Sequence, residues 1–484
     1  MNKSLSLLDK QEVRRAIQAY HESNRLSLEI ADYLRQQFHQ LAKHYGPNAN
    51  IFRLFFHDLM VHFSGIVIQR ESLRDQEKAT APFPYVSAHY ARQPFLIEEK
   101  LRLHLEPSGN SVPSLWRTIG LVPIALGDAV PFDLQTQWLS RKSLTLLTKY
   151  QPCTKAYLPN RNEQLDVLST TISVLAEKLE IPGGEILIRN WLSYANYHTS
   201  AKQKTVKERG LILGTRAELQ NRKLAINFLQ QDKPVVAMTH GEITNTIFNE
   251  PLFGYAESEL CSVLIDYGDT RLRSPLNEPL VQPKKNLSRT SMPVQRIRKR
   301  DLRIKSIRKT SNSFLYIPTL YNGALHYGPF RGFEDSLYLK WQSELIAAIP
   351  DITIRPHPKS PPPPFETKQD HRSLNRCYAD YDTLILDYYS TAATLMISTH
   401  KPVIYFDLGL RNLARAFQSL LEERCHYAKI DWENNIGDQI RRLLVEAKNS
   451  NPCSDTGYLA PFSITNQPQS RFPNLVEVLY EGLG

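Results

Sequence analysis

The sequence lacks closely spaced cysteine pairs. Its five cysteines are scattered through 484 residues, and no two of them form a C-x-x-C pair. A dispersed, odd-numbered set is typical of reduced thiols in a reducing compartment. The cysteines therefore predict neither a disulfide framework nor a zinc site.

A long, uninterrupted hydrophobic run is also missing. The most apolar window, residues 51–68, contains Arg53, His57, Asp58 and His62, and ionisable side chains make such a window a poor membrane span. The first twenty residues include a lysine but no continuous apolar stretch, which argues against a secretory signal. We therefore expect a cytoplasmic protein without a transmembrane helix.

The net positive charge is concentrated in one short segment. Between Lys284 and Lys309, eleven Lys or Arg residues accompany the single acid Asp301, and this excess equals the formal charge of +10 of the whole chain. The remainder is formally neutral, which counts against a nucleic-acid-binding surface on the folded domains. The segment also lacks aromatic residues between Arg296 and Lys309, whereas single-strand binding usually uses stacked aromatic side chains. No nucleic-acid partner is expected.

The spacing of apolar residues divides the chain into parts. Residues 9–45 have helical spacing, whereas from about residue 183 short apolar strands alternate with amphipathic helices, and the same alternation restarts after the basic segment. This alternation predicts βαβ units and parallel sheets, so the fold class is α/β with two doubly wound, Rossmann-like lobes. The predicted parts are a partly helical N-terminal extension (1–180), a first lobe (181–283), a basic linker (284–310) and a second lobe (311–484).

The positions of individual strands and helices follow from the same pattern. The predicted strands are 211–213, 235–239 and 262–267 in the first lobe, and 314–319, 352–355, 384–387, 403–406 and 427–430 in the second. The predicted helices are 216–231, 334–348, 391–398 and 412–423. Ligands of doubly wound sheets bind at the carboxyl ends of the strands, so the functional residues are expected there.

In the first lobe, the motif Thr239-His240-Gly241-Glu242 ends a predicted strand. Glycine permits a tight turn and close approach of a ligand, and an imidazole titrates close to neutral pH. His240 is therefore a candidate general base, with an ordinary turn as the alternative. Glu242 either orients His240 or caps the next helix.

In the second lobe, two motifs follow apolar strands. Arg355-Pro-His357-Pro is a stiff loop that presents a cation and an imidazole, which suit a phosphate or diphosphate, and a rigid surface turn is the alternative. Ser390 or Thr391 caps the next helix, whose free N–H groups would attract the phosphates of a ligand. Asp387 either holds this turn by hydrogen bonds or joins the phosphate-binding group.

Four segments together resemble the CDP-glycerol glycerophosphotransferase family and related capsule and surface-carbohydrate transferases. Their order and approximate spacing match over roughly residues 210–440. The resemblance implies a GT-B fold and an enzyme that transfers a group from a nucleotide-activated donor. The four segments are residues 236–242 (VAMTHGE), 314–319 (FLYIPT), 352–358 (ITIRPHP) and 381–407 (YDTLILDYYSTAATLMISTHKPVIYFD).

The resemblance also implies roles for individual residues. It makes His240 the general base of the reaction centre and assigns the donor diphosphate to the second lobe, at Thr319, Arg355, His357, Ser390 and Thr391. Two features depart from the teichoic-acid polymerases. Residues 254–268 are more similar to the surface-carbohydrate branch, and Tyr389 replaces a small residue, so a sugar nucleotide and CDP-glycerol both remain candidate donors.

The resulting expectation is a glycosyltransferase or glycerophosphotransferase. Its partners would be a CDP-, UDP-, GDP- or CMP-linked donor and a polysaccharide or lipid-linked acceptor. The expected chemistry does not need a D-x-D metal motif, and Asp266 and Asp269, three positions apart at a strand end, are a poor substitute for one. Neither a metal nor another cofactor is therefore expected. The basic segment predicts peripheral attachment to an anionic membrane surface. A non-catalytic anion- or glycan-binding scaffold with the same fold is the alternative.

Overall fold

The computed structural model describes most of the chain outside the residues 77–154. The described residues are 9–76, 111–113, 121–123, 147–149, 155–181, 184–206, 210–213, 216, 219–239, 247–248, 251–267, 274–289, 313–318, 334–357, 365–397, 399 and 401–449. They form a mixed α/β structure with two large sheets of parallel strands.

The helices and strands are numbered separately in chain order. The described helices are α1 (Lys10–Tyr45), α2 (Ile51–Gln76), α3 (Arg161–Lys178), α4 (Gly184–His198), α5 (Leu219–Leu229), α6 (Pro251–Ser258), α7 (Glu334–Ala348), α8 (Leu374–Cys377), α9 (Thr391–Ile397), α10 (Arg415–Arg424) and α11 (Ile436–Asn449). The described strands are β1 (Ser111–Pro113), β2 (Leu121–Pro123), β3 (Leu147–Lys149), β4 (Ala156–Tyr157), β5 (Thr199–Ser200), β6 (Gly210–Leu213), β7 (Val235–Met238), β8 (Val263–Tyr267), β9 (Lys285–Arg289), β10 (Phe314–Ile317), β11 (Thr353–Ile354), β12 (Lys368–Gln369), β13 (Thr383–Leu386), β14 (Val403–Asp407) and β15 (His426–Lys429).

Helix α1 is 36 residues long and has a well-defined start and end. Asp9 and Glu12 form a capping box, in which the Asp9 side chain accepts from the Glu12 N–H at 2.8 Å and the Glu12 side chain accepts from the Asp9 N–H at 2.7 Å. The helix ends at Gly46, whose φ of 76° is readily adopted by glycine. These signals explain why the polar N-terminal segment forms one long helix.

Helix α1 packs against both lobes. Near its start, Val13, Ala16 and Tyr20 belong to the core on one face of the second sheet. Further along, Leu34 and Phe38 belong to the core of the first lobe. The helix therefore joins the two halves of the molecule.

The first sheet has the strand order β2-β6-β7-β8-β9, and all neighbouring strands are parallel. Its core is shared with α2, α3 and α4, because buried residues of these helices and of the sheet form one continuous cluster. The boundary predicted at residue 180 falls between α3 and α4, inside this shared core. Strand β2 likewise comes from the region predicted as an extension.

The second sheet has the order β12-β11-β10-β13-β14-β15, again with parallel neighbours throughout. Numbered within this lobe the order is 3-2-1-4-5-6, which is the strand order of dinucleotide-binding Rossmann sheets. Side chains of β10 alternate between the faces: Tyr316 contributes to the core beneath α7 and α11, whereas Leu315 and Ile317 contribute to the core beneath α8, α9 and α10. Both faces are therefore covered by helices.

Most of the predicted elements are confirmed. The predicted strands match β6, β7, β8, β10, β11, β13, β14 and β15 to within two residues at each end, and the predicted helix 334–348 coincides with α7. The basic segment requires one correction, because Lys285–Arg289 form the edge strand β9 and are not linker. Edge strands commonly carry charged side chains. The charged composition of residues 285–289 therefore did not indicate a strand.

Helix α2 contains the apolar window identified in the sequence. Throughout the part of the chain that the structure describes, no helix combines the length and hydrophobicity needed to cross a membrane. Of the ionisable residues of this window, Arg53 and His57 are buried, and Asp58 and His62 are partly buried. Arg53 is paired with Glu259, and Asp58 accepts from Arg222 at 2.7 Å.

Candidate functional site

The second sheet brings several predicted site residues to one edge. Arg355 directly follows β11, and Asp387 directly follows β13, while β10 lies between these two strands. The strands are parallel, so their carboxyl ends meet at the same edge. The strand order reverses between β10 and β13, and this is where the ligand crevice of such sheets is found.

Arg355 is a half-buried cation at this edge. Its backbone N–H donates to the Tyr316 carbonyl at 2.9 Å, which fixes the start of the loop to the sheet. Its Nε lies 3.4 Å from the Arg372 carbonyl, and no acid among the described residues forms an ion pair with its guanidinium. Burial lowers the pKa of Arg355, while neighbouring Cys377 and Asp370 raise it, and a guanidinium remains charged under these conditions.

A cluster around Asp370 supports the Arg355 loop. The Asp370 carboxylate accepts from the backbone N–H, Nε and Nη2 of Arg372, and from the Tyr381 hydroxyl at 3.0 Å. Hydrogen bonding by Arg372 lowers the pKa of Asp370 to about 2. The cluster orders the Arg372 main chain, whose carbonyl faces Arg355. Asp370 was not predictable from the sequence, because a single acid after a two-residue strand belongs to no recognisable motif.

Asp387 lies in an internal hydrogen-bond network. Its carboxylate accepts from the hydroxyl of Tyr316, from Trp341 Nε1 at 2.9 Å and from the Tyr338 hydroxyl at 3.1 Å. Burial raises the pKa of Asp387 to about 7, although hydrogen bonds from Tyr316, Trp341 and Tyr338 act in the opposite direction. These contacts tie the end of β13 to β10 and α7. Of the two roles predicted for Asp387, these contacts agree with holding the turn by hydrogen bonds. Direct contact of Asp387 with a phosphate stays a prediction.

The turn after Asp387 leads into α9. Ser390 Oγ lies 3.5 Å from the Ala393 N–H, and the Ser390 carbonyl accepts from the Thr394 N–H at 3.0 Å, so Ser390 occupies the capping position. Tyr389 is buried, with its hydroxyl 2.7 Å from Thr394 Oγ1 and its ring against Phe417. The tyrosine that departs from the family pattern thus fills the core beside α9. Its neighbour Tyr388 faces a cavity.

This cavity lies where the two lobes meet. It is a small space, lined by residues that include Ile247, Tyr388, Tyr405, Asp407, Arg411 and Leu413. The first lobe reaches it through Ile247, which forms an isolated antiparallel bridge with Leu413. The adjacent Phe248 N–H donates to the Asn412 carbonyl at 2.7 Å. The carboxyl ends of β13 and β14 therefore face a segment of the first lobe.

Several predicted residues lie outside the described part. His240, Glu242 and Thr319 are not among the described residues, and of Thr391 only the backbone, at the start of α9, is described. His357 is half-buried two residues after Arg355. The structure therefore brings together Arg355, His357, Asp387 and Ser390, and it leaves the other assignments as predictions.

The chemistry available at this edge is the binding of an anion. Across the described ranges, His, Cys, Asp and Glu side chains form no group of three that could hold a metal ion. Arg355 supplies a charge for phosphate, with donors in a planar arrangement that matches its oxygens.

Comparison with known proteins does not assign the chain to a family. Neither protein-family models nor curated protein sequences give a significant match. The resemblance to surface-carbohydrate transferases therefore depends on the four segments quoted above.

Proposed function

We propose that this protein is a GT-B transferase. It would move a glycosyl or glycerophosphoryl group from a nucleotide-activated donor to a cell-surface polysaccharide or lipid-linked acceptor. The observation that carries the proposal is the 3-2-1-4-5-6 order of the second sheet, with the half-buried cation Arg355 at the edge where nucleotides bind to sheets of this order. A GT-B enzyme has two lobes, and the parallel first sheet provides the lobe that faces this one.

The donor site would use the residues at the carboxyl ends of β10, β11 and β13. Arg355 would neutralise the negative charge that builds up on the departing diphosphate, since a fixed cation stabilises a transition state best where charge develops. His357 and Thr319 would complete the contacts, with Ser390 and Thr391 at the start of α9. The internal network of Asp387 would hold the turn that carries these groups.

The first lobe would supply the acceptor and the general base. An acceptor hydroxyl would attack the donor carbon or phosphorus and form the new bond, while the bond to the nucleotide breaks and its electron pair leaves with the diphosphate. His240 would take the hydroxyl proton, with Glu242 orienting it. Support comes from the chain path: the segment 240–246 connects Thr239 at the end of β7 with Ile247, which contacts Leu413 of the second lobe.

Release of nucleotide from a panel of activated donors tests this function. CDP-glycerol and CDP-, UDP-, GDP- and CMP-linked sugars would be incubated with the native chain and with His240→Ala, and free nucleotide would be measured. We expect release from one donor class by the native chain only. Tight nucleotide binding without release by either protein, with acceptor present, would favour the non-catalytic scaffold.

The proposed location is the cytoplasm, with peripheral attachment to the inner face of the plasma membrane. Acceptors of transferases in the resembling family are commonly lipid-linked, and the basic segment 284–310 concentrates the positive charge of the chain. Such segments are attracted to anionic leaflets. The proposed location and the proposed membrane attachment both rest on the sequence alone.

A further inference from the structure

The two lobes meet directly at a short main-chain contact, which we call the lobe bridge. It consists of the antiparallel pairing of Ile247 with Leu413 and of the hydrogen bond from the Phe248 N–H to the Asn412 carbonyl at 2.7 Å. Domains of one chain normally move relative to each other unless a large hydrophobic contact joins them. The lobe bridge is too short to fix the lobes by itself.

On the first-lobe side, the bridge is attached to the turn 274–278. Asn277 in this turn is fully buried, and its Nδ2 donates to the Ile247 carbonyl at 2.5 Å. Gly254 of α6 lies directly against the turn, because a Cβ atom at Gly254 would come within 1.9 Å of the Asn277 carbonyl oxygen. Ile247 is therefore held to a fixed point of the first lobe.

Helix α1 contacts both sides of the bridge. The Arg35 Nη2 donates to the Glu278 carbonyl of the turn at 2.6 Å. The Tyr20 hydroxyl donates to the Leu410 carbonyl, which belongs to the second-lobe loop 408–413. A helix rises about 1.5 Å per residue, so Tyr20 and Arg35 lie about 22 Å apart along the helix axis. One helix thus spans the distance between the two anchored sides.

These contacts form a closed circuit. It runs from α1 to the turn 274–278, through the lobe bridge to the loop 408–413, and back to α1. The helix keeps its two attachment points at a fixed distance, because its backbone hydrogen bonds resist stretching. The lobes therefore cannot separate at the bridge while both parts of α1 stay attached.

The two parts of α1 are attached unequally. Three of its buried apolar side chains belong to the core of the second lobe, whereas six belong to the core of the first lobe. The ion pair between Arg14 and Glu433 adds little to the second-lobe attachment, since it is exposed. Burial of apolar surface dominates such attachments, so the part that carries Tyr20 should release first. The six side chains are Leu26, Ile30, Ala31, Leu34, Phe38 and Leu41.

We propose that α1 is a strap that holds the lobes in one relative orientation, and that release of its Tyr20 end from the loop 408–413 lets the lobes separate. The strap then controls access to the space between the lobes. This inference goes beyond the proposed function and does not depend on it, because it uses only contacts within the chain.

Measurement of the distance between the lobes by pulsed EPR tests the proposal. Spin labels would be attached at Ser173→Cys on α3 and Ser419→Cys on α10, which are exposed positions. The full chain would also carry Cys153→Ser and Cys453→Ser, and its other three cysteines are buried. We expect one narrow distribution of distances in this chain, because the strap fixes the lobes.

Tyr20→Ala should broaden this distribution and add longer distances, because it removes the ring and the hydroxyl that hold the strap to the second lobe. The matched control is Tyr45→Ala at the other end of α1, where the hydroxyl bonds to Glu163 of α3 on the first-lobe side. The control should give the native distribution. A native distribution in Tyr20→Ala, or equal broadening in Tyr45→Ala, would overturn the proposal.

Hydrogen exchange gives a second reading with a milder change. Tyr20→Phe keeps the ring and removes only the hydroxyl. It should speed exchange of the Phe248 N–H, which donates across the lobe bridge, by about fivefold, the factor expected for one lost hydrogen bond. Exchange in β7, in β14 and in residues 30–41 of α1 should keep its native rate.

Two results of the exchange experiment would contradict the strap. Unchanged exchange of the Phe248 N–H would show that Tyr20 does not control the lobe bridge. An equal increase in β14 or in residues 30–41 would show that the lobes do not separate as intact units. Neither measurement contains a nucleotide, so this proposal and the proposed function can fail separately.

Discussion

The hydroxyl of Tyr20 donates a hydrogen bond to the main-chain carbonyl of Leu410, 390 positions away in the sequence. Tyr20 lies on α1, which packs against both lobes, and Leu410 belongs to the loop between β14 and α10 that lines the interlobe cavity. The N-terminal helix is therefore part of the framework of the candidate site.

Removing this hydroxyl should weaken the framework measurably. Tyr20→Phe leaves a buried carbonyl without its donor, and we expect the free energy of unfolding to fall by about 1 kcal/mol. Urea denaturation would measure the change. Tyr197→Phe is the matched control, because Tyr197 is 55% exposed. Equal stabilities of the two variants would show that the bond contributes nothing.

A buried ion pair joins α2 to the first lobe. Arg53 and Glu259 are 1% and 0% exposed, and the second carboxylate oxygen of Glu259 accepts from the Leu280 N–H at 2.5 Å. Glu259→Gln keeps a hydrogen-bond acceptor but removes the negative charge opposite Arg53. The free energy of unfolding should therefore fall by about 3 kcal/mol or more. Adding Arg53→Met should recover part of this loss.

The exposed pair between Arg14 and Glu433 is the control for the buried one. Glu433→Gln should leave stability unchanged, because water screens exposed charges. Urea unfolding of all variants would give the comparison. If Glu259→Gln were as stable as Glu433→Gln, the N-terminal helices and the first lobe would not be held together by this pair.

The stability of the second lobe should depend on the protonation of Asp387. Asp titrates near pH 4 in an unfolded chain, whereas folded Asp387 has a pKa of about 7 because it is buried. Its contribution to the free energy of unfolding is therefore complete below about pH 4 and is lost as the pH rises through about 7. Asp387→Asn cannot ionise and should flatten the profile of unfolding free energy against pH. A variant profile as steep as the native one would contradict this role.

The basic segment should attach the chain to anionic membranes. Each Lys or Arg near an anionic surface contributes about 1 kcal/mol, and salt screens the attraction. Co-sedimentation with anionic and neutral vesicles would compare the native chain with a variant in which five cations become Gln. The substituted residues, which lie outside the described part, are Arg296, Arg298, Lys299, Arg300 and Arg303. Equal sedimentation on anionic vesicles, or no effect of added salt, would leave the segment as a tether.

The sequence predicted most strands of the two sheets, because their apolar runs are short, buried and bounded by polar turns. It also predicted that Arg355 and Asp387 lie at the ends of strands that belong to one sheet. It did not predict β2, β9 and β12. The role of α1 was not predictable in the same way. Helical spacing of apolar residues identifies a buried face, but it does not indicate that Val13 packs against one lobe and Phe38 against the other.

The cavity was likewise beyond the sequence. Arg411 and Tyr388 are separated by 23 positions, and Arg411 lies outside the four segments quoted above. Their contact depends on the parallel pairing of β13 with β14, which brings the two following loops side by side. Contacts of this kind are set by topology, whereas motifs record only residues that are close in sequence.

Binding of nucleotides to the native chain and to Arg355→Ala tests the central claim most directly. CDP, UDP, GDP and CMP would be titrated by calorimetry, with Arg442→Ala as the control, since Arg442 is an exposed arginine on α11. We predict that at least one nucleotide binds the native and control chains, and that Arg355→Ala weakens it by about 1.5–3 kcal/mol, as expected for a charge-assisted hydrogen bond. An unchanged dissociation constant in Arg355→Ala, or no binding of any nucleotide to the native chain, would contradict the proposed donor site.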